Sequence, residues 1–403
     1  MNVLVETSEE LPIICVARYI GELNQGDQQR TELADSPAKL FVSSCEALME
    51  QGAWSALLGE MLSNSSVLFS KASESDVECC FLVMSSVFSK LPQQEALAAA
   101  EMIGNKIANE MGVNNALRLR LLQSLFNMMQ YPYGKFVAFL QIVNFATHAQ
   151  MVDSLLPAIK KTEVWVKEWG VGVEESRALY LAVANLCSGQ PSASKEYFHF
   201  LTKYLSTFDS TELASDKIRR DVARCGIEFI SSPDVFQCDT LDLVTVQKLQ
   251  ADSVTGPVFV LLSLMLTGKL ADYLTFHAAN PKVVAGLSLS HDNIVSKMRL
   301  MSLTALASES QTGEIPYALV KDTLQIEDSE VEAWIVKAIS LKLLEAKIDQ
   351  LREVVVFSRC TRRVFGDAQW HELQAKLGQW KANLGSVCKM MHNTRTSGVA
   401  LAV

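Results

Sequence analysis

The sequence predicts a mainly α-helical fold: an α-solenoid of helical repeats, then a winged-helix module, then one long C-terminal helix. Three observations carry this. Apolar residues recur at helical spacing through most of the chain, in segments joined in pairs by short polar breaks. The stretch from Gly313 to Phe357 departs from that, reading helix, short strand, helix, then two strands. Beyond it, Trp370, Leu373, Leu377, Trp380, Leu384, Val387 and Met391 alternate spacings of three and four, a heptad seam.

Leu11 to Leu23 forms a first helix, and the polar stretch from Gln25 to Ser36 a loop. Helices follow over Phe41 to Trp54, Asp76 to Lys90 (ended by Leu91-Pro92) and Gln93 to Gly112, whose alanines favour helix. Asn115 to Met129 has the clearest face, with Leu117, Leu121, Leu125 and Met128 in register, and Tyr131-Pro132-Tyr133-Gly134 stops it. Lys135 to Ala149, Met151 to Trp169, Glu174 to Leu186, Lys195 to Phe208 and Leu213 to Ser231 complete the run. The letters hold no strict repeat, so a repeat here is structural, and an irregular bundle stays open as the alternative. Leu241 to Lys248 is a short helix. Val258 to Leu266 is apolar nearly all round and reads as a core helix with Gly268 at C′. Leu270 to Ala279 and Asn293 to Ala307 lead into the winged helix.

In that module Ile315 to Leu324 is the first helix, with Pro316 in its first turn, where the missing N–H costs nothing. Ser329 and Glu332 have capping-box spacing ahead of Val331, Ile335, Ala338 and Ile339. Leu344, Ala346 and Ile348 alternate with Glu345 and Lys347, a strand period. Asp349 to Arg352 turns the chain into the β-branched Val354, Val355, Val356 and Phe357. Either strand presents unpaired N–H and C=O groups if it lies at the sheet edge, and a partner's edge strand satisfies both. These seven strand residues are candidate partner contacts. The C-terminal seam is the second candidate. Gly378 and Gly385 each cost the helix about 1 kcal/mol, so it needs something to pack on: its own winged helix, or a bundle of partner helices.

With 49% hydrophobic and 20% charged residues the chain is globular rather than disordered. A net charge of −9 argues against wrapping nucleic acid by charge alone. The first residue of the expected recognition helix is followed by Glu330 and Glu332, which would repel phosphate. Lys347, Arg352, Arg359, Arg362 and Arg363 form the candidate RNA contact, with solvated surface charge as the plainer reading. Nine scattered cysteines without C-x-x-C fit a reducing compartment, and no basic region precedes an apolar run, so a cytoplasmic location is expected. His371-Glu372-Leu373-Gln374-Ala375 begins a zinc-protease motif and fails at Ala375. Gly268-Lys269 has Ser263 where a phosphate loop needs Gly. The six histidines show no ligand spacing. No catalytic, metal-binding or cofactor-binding residues are expected, and no enzyme.

The pieces Lys347-Ile348-Asp349-Gln350, Val354-Val355-Val356, Phe365-Gly366 and Gln369-Trp370 resemble the end of a PCI domain, the module shared by the proteasome lid, the COP9 signalosome and eukaryotic translation initiation factor three. Upstream, His291, Met298-Arg299-Leu300 and Leu117-Arg118-Leu119-Arg120-Leu121 extend the likeness, which within that group is nearest to the subunit M family. The resemblance implies a right-handed solenoid region over 1–210 and a PCI domain over 211–371, with helical part 211–312 and winged helix 313–358. It also implies a bundle helix over 367–391, before a flexible tail at 392–403. It implies a non-catalytic scaffold without cofactor, beside the factor's A subunit (also a PCI protein) and the MPN subunits F and H. In that setting it helps recruit messenger RNA and initiator transfer RNA, and helps bind the 40S ribosomal subunit. A signalosome or lid PCI subunit, and a nucleic-acid-binding winged-helix protein, are the rival expectations.

Overall fold

The structure, a computed structural model, describes residues 11–25, 37–110, 114–208, 216–238, 256–287, 289–310, 313–363 and 366–400. The chain divides into two compact units, Met1–Phe200 and Leu201–Val403.

The first unit is helical throughout its described residues: Pro12–Gln25, Pro37–Glu50, Trp54–Asn64, Ser66–Lys71, Glu74–Ser86, Gln93–Asn109, Asn115–Met128, Pro132–Ala149, Leu156–Ile159, Thr162–Trp169 and Val173–Cys187, then the start of Ser194–Ser206. Helices meet both their successor and the next but one: Asn115–Met128 packs on Pro132–Ala149 and on Glu74–Ser86, and Gln93–Asn109 packs on Pro132–Ala149 as well. That is how stacked repeats bury a continuous core.

The breaks have local causes. Ser73 and Asn114 cap the helices that follow them, accepting from Asp76 N and Ala116 N. The helix Asn115–Met128 ends before Tyr131-Pro132 as expected, and Pro132 also opens the next helix, ahead of the expected Lys135. The helix expected over Phe41 to Trp54 ends at Glu50, because Gly52 takes φ +69° and turns the chain into a further helix at Trp54. The single helix expected over Met151 to Trp169 is two short ones. Gln150 is left-handed, and Pro157 sits in the first turn of Leu156–Ile159, where its missing N–H does no harm. Trp165 and Trp169 then stack on each other at 5.8 Å and close over Phe139, at 5.3 and 5.9 Å.

The second unit holds the helices Asp216–Ser231, Gly256–Thr267, Leu270–Ala279, Pro281–Gly286 and His291–Glu309, then the winged helix and the helix Asp367–Ala400. The helix expected at Leu241 to Lys248 lies outside the described residues. Gly268 is not left-handed; it is needed because a Cβ there would press on Leu264 O.

Cations hold the ends of these helices together. Lys297, buried on the helix His291–Glu309, donates to Phe229 O and Ser232 O (2.7 Å) at the C-terminus of Asp216–Ser231. It also lies 4.2 Å over the Phe229 ring. Burial lowers its pKa to about 7, against the pull of Cys238, Glu228 and Asp234. Arg299 donates to Leu324 O and Gln325 O, both at 3.1 Å. This is the arginine of the Met298-Arg299-Leu300 motif, and it ties that helix to the end of the helix Tyr317–Leu324.

The winged helix has a three-stranded antiparallel sheet in the order β1 (Glu314–Pro316), β3 (Val354–Cys360), β2 (Leu344–Asp349). Ile315 and Pro316, expected in the first helix, belong to β1; Ile315 pairs with Val355 and the helix starts at Tyr317. Gly313 makes this possible at φ +73°, with Phe357 N donating to its carbonyl at 2.7 Å. The capping box is also absent. A 3-10 turn, Asp328–Glu330, opens the helix Val331–Ser340 with no side-chain cap. Glu332 instead accepts from Tyr317 Oη (3.1 Å) and Gln350 Nε2 (2.9 Å), tying helix to wing.

Candidate assembly surfaces

β3 is paired on both sides, by β1 and by β2. This corrects the expectation that Val354, Val355, Val356 and Phe357 offer an open edge. Val355 and Phe357 are buried in the module's core and serve it as packing. The reason is the added strand at Glu314–Pro316, which takes the side that an edge would leave open. What remains at the edge is β2, whose ladder runs only to β3 among the described residues. Leu344 is buried, Ala346 and Ile348 are half-buried, and Lys347 stands exposed in mid-strand. A bulge between Glu345 and Ala346 bends its first end.

The basic residues do not form one patch. Arg363 is buried: Nε donates to Met301 O at 2.8 Å, and a second nitrogen donates to Met265 O (3.2 Å) and Gly268 O (2.6 Å). Burial lowers its pKa to about 10. Its expected place in an RNA contact is therefore corrected; its guanidinium is engaged by main-chain carbonyls, two of them at the C-terminal end of the helix Gly256–Thr267. Arg362 pairs with Glu372 at 2.7 Å, Arg359 with Glu345 at 3.5 Å and Arg352 with Glu314 at 3.3 Å. Each of these three arginines thus has a carboxylate beside it, which weakens any field toward phosphate.

The helix Asp367–Ala400 begins where that ion pair ends. Hydrogen bonds from Arg362 and Lys376 hold the Glu372 carboxyl down at about 2. Gly366 N, donating to Gln369 Oε1 at 3.0 Å, fixes the first turn. From there the seam is open: its seven residues run from 38% exposed at Leu373 to 68% at Met391, with Trp370 at 59% and Trp380 at 63%. The reading in which the seam packs back on its own winged helix is not what the structure has. Residues 392–400, expected in a flexible tail, continue the helix to Ala400.

Comparison with known proteins agrees with these two elements. A model of the PCI domain matches residues 279–359, which take in the winged helix, and a model described as "eIF3 subunit M, C-terminal helix" matches residues 363–389. Curated proteins named eukaryotic translation initiation factor 3 subunit M are similar over most of the chain. The one from Dictyostelium discoideum is 30% identical over 334 residues, 82% of each chain. The human one is 30% identical over 329 residues, 79% of this chain and 83% of its own. The mouse one is 29% identical over 380 residues, 91% and 95%. An identity of this size, spread over both units and joined to a match on the C-terminal helix itself, is more than a shared module, and the chain belongs to the eukaryotic translation initiation factor 3 subunit M family.

Proposed function

We propose that the chain is a non-catalytic, cytoplasmic scaffold subunit of the initiation factor 3 complex, held in it mainly by its C-terminal helix. The observation that carries this is the open seam. Seven apolar side chains in heptad register, two of them Trp, stand in solvent on a helix with no core of its own. Such a stripe is an interaction surface by default, and a coiled-coil seam calls for helices as its partners. The resemblance supplies the occupants: MPN subunits F and H along the seam, and the PCI protein of the A position on the β2 edge. Through the complex the chain helps engage the 40S subunit, messenger RNA and initiator transfer RNA. In this reading residues 211–371 form the PCI part and residues 1–210 the helical-repeat arm.

Native mass spectrometry of the tagged full-length chain tests this. The unaltered chain should carry other initiation-factor subunits. Trp380→Asp combined with Leu384→Asp should release them while thermal melting of the rest is unchanged. Companions retained by that variant would overturn the seam reading. For the β2 edge, proline is placed at Ala346 and at Lys347 in turn. Backbone N–H groups alternate in direction along a strand, so one of the two removes an outward donor and leaves the ladder to β3 intact. That variant should lose only the PCI neighbour.

A further inference from the structure

We infer that the groove between the helices Gln93–Asn109 and Pro132–Ala149 binds an extended peptide segment of another protein, with an acidic residue of that peptide over Arg118. This goes beyond the assembly reading and does not depend on it. The groove has a volume of about 330 Å³, room for a few residues rather than a folded element. Amides line it from two sides. Asn105 and Asn109 lie one turn apart on the first helix, and Gln141 and Asn144 face from the second. Asn105, Asn109 and Asn144 are exposed and make no side-chain hydrogen bond among the described residues. A carboxamide carries both an acceptor and two N–H donors, the complement of a peptide unit.

Arg118 lies between them in a fixed position. Its Nε donates to Ile107 O at 2.9 Å, its other nitrogens donate to Ala108 O and Asn115 Oδ1, and the guanidinium lies 4.7 Å over the Phe145 ring. A guanidinium has five donors, so these three bonds leave two for a ligand. No carboxylate lines the groove; Glu110, outside it, is near enough to act on Arg118 and is itself paired with Lys106 at 3.2 Å. The groove therefore selects an acid in its occupant. Gln141 Oε1 is buried without a partner, in the space that the missing side chain of Gly104 leaves. Native structures rarely keep such an orphan acceptor; turning the amide toward a peptide N–H would satisfy it. RNA fits less well. The lining has a single Arg and no Lys, and Phe145 is covered by Arg118 and buried, so it offers no face for base stacking.

The test pans the full chain against short random-sequence peptides displayed on phage, then measures anisotropy with the enriched peptides as labelled synthetics. The expected result is a family with Asp or Glu at one fixed position. Its binding should fall roughly tenfold or more on the variant Asn105→Ala with Asn144→Ala, and equally when the peptide acid is replaced by its amide. Both substituted groups are exposed, so the melting curve of the variant should match that of the unaltered chain. No enrichment would overturn the proposal, as would peptides held equally by the variant. So would a labelled oligouridine that binds the unaltered chain and is lost from the variant.

Discussion

The two units bury different chemistry. In the first, the buried polar side chains among the described residues are hydroxyls, Ser65, Ser85, Thr162 and Ser176, each bonded to a carbonyl three or four residues back in its own chain. In the second, two basic side chains are buried among the described residues, Lys297 and Arg363, and both donate to main-chain carbonyls far away in sequence. A stack of repeats needs only apolar faces, since each helix meets near neighbours. The second unit brings the strand after the wing back onto helices that lie well before it. Apolar area alone does not fix where that returning segment sits. A guanidinium with three carbonyl partners does.

The largest expected effect follows from removing that tie. Arg363→Ala takes a donor from buried Met265 O and part-buried Gly268 O, at roughly 1–3 kcal/mol for each, and one of its donors from Met301 O, which keeps Thr304 Oγ1 at 2.8 Å. Hydrogen exchange should then lose protection across residues 256–363 while residues 37–200 keep theirs. Uniform loss over both units would break the comparison. Phe139→Ala is the reciprocal change. It removes the ring on which Trp165 and Trp169 close and should cost about 3–5 kcal/mol. Urea melts followed by Trp fluorescence should show the early loss in the first unit alone.

This difference also governs how much was legible in the sequence. Helix faces such as Leu117, Leu121 and Leu125 are buried as their spacing predicts, because a stacked repeat is governed by periodicity. The seam from Trp370 to Met391 could be read for the same reason. Strand order could not. Pro316 suits a helix's first turn and a strand's end equally well, and only the partner Val354 across the ladder decides. That one choice turned Val354 to Phe357 from an edge into the middle of the sheet. Arg363 read as surface charge because nothing in its neighbours Thr361, Arg362 and Val364 announces burial; its partners lie in two helices far upstream. Lys297 was hidden likewise, on a helix whose apolar residues surround it.

Lys297 gives a pH test of the same contrast. Its pKa falls from 10.5 in the unfolded chain to about 7 in the folded one. Below about 7 both states carry the proton, and the full cost of burying the charge is present. Between about 7 and 10.5 the unfolded state alone keeps it, so the second unit gains stability as pH rises through that window. Lys297→Met should flatten the rise in urea midpoint of the second unit and leave that of the first unchanged. A rise that survives the substitution would assign it to another group.

The smallest effect should come from the cations on the surface of the wing, and it sets the scale for the buried ones. Arg352 and Arg359 pair with Glu314 and Glu345 at 3.3 and 3.5 Å, with both partners of each pair well exposed. Water screens such pairs, so Arg352→Gln and Arg359→Gln should each change stability by about 0–1 kcal/mol, and by less still in high salt. Arg363, only a few positions along the chain, carries the same charge and should cost several times more, because it is itself buried and its bonds to Met301 O and Met265 O are buried with it. If the surface variants leave both folding and RNA crosslinking unchanged, the wing arginines are solvated charge, and the module acts through its edge and its C-terminal helix. If crosslinking falls while folding holds, these arginines bind RNA even though each has a carboxylate beside it. The contrast between the units would then be one of function as well as of packing.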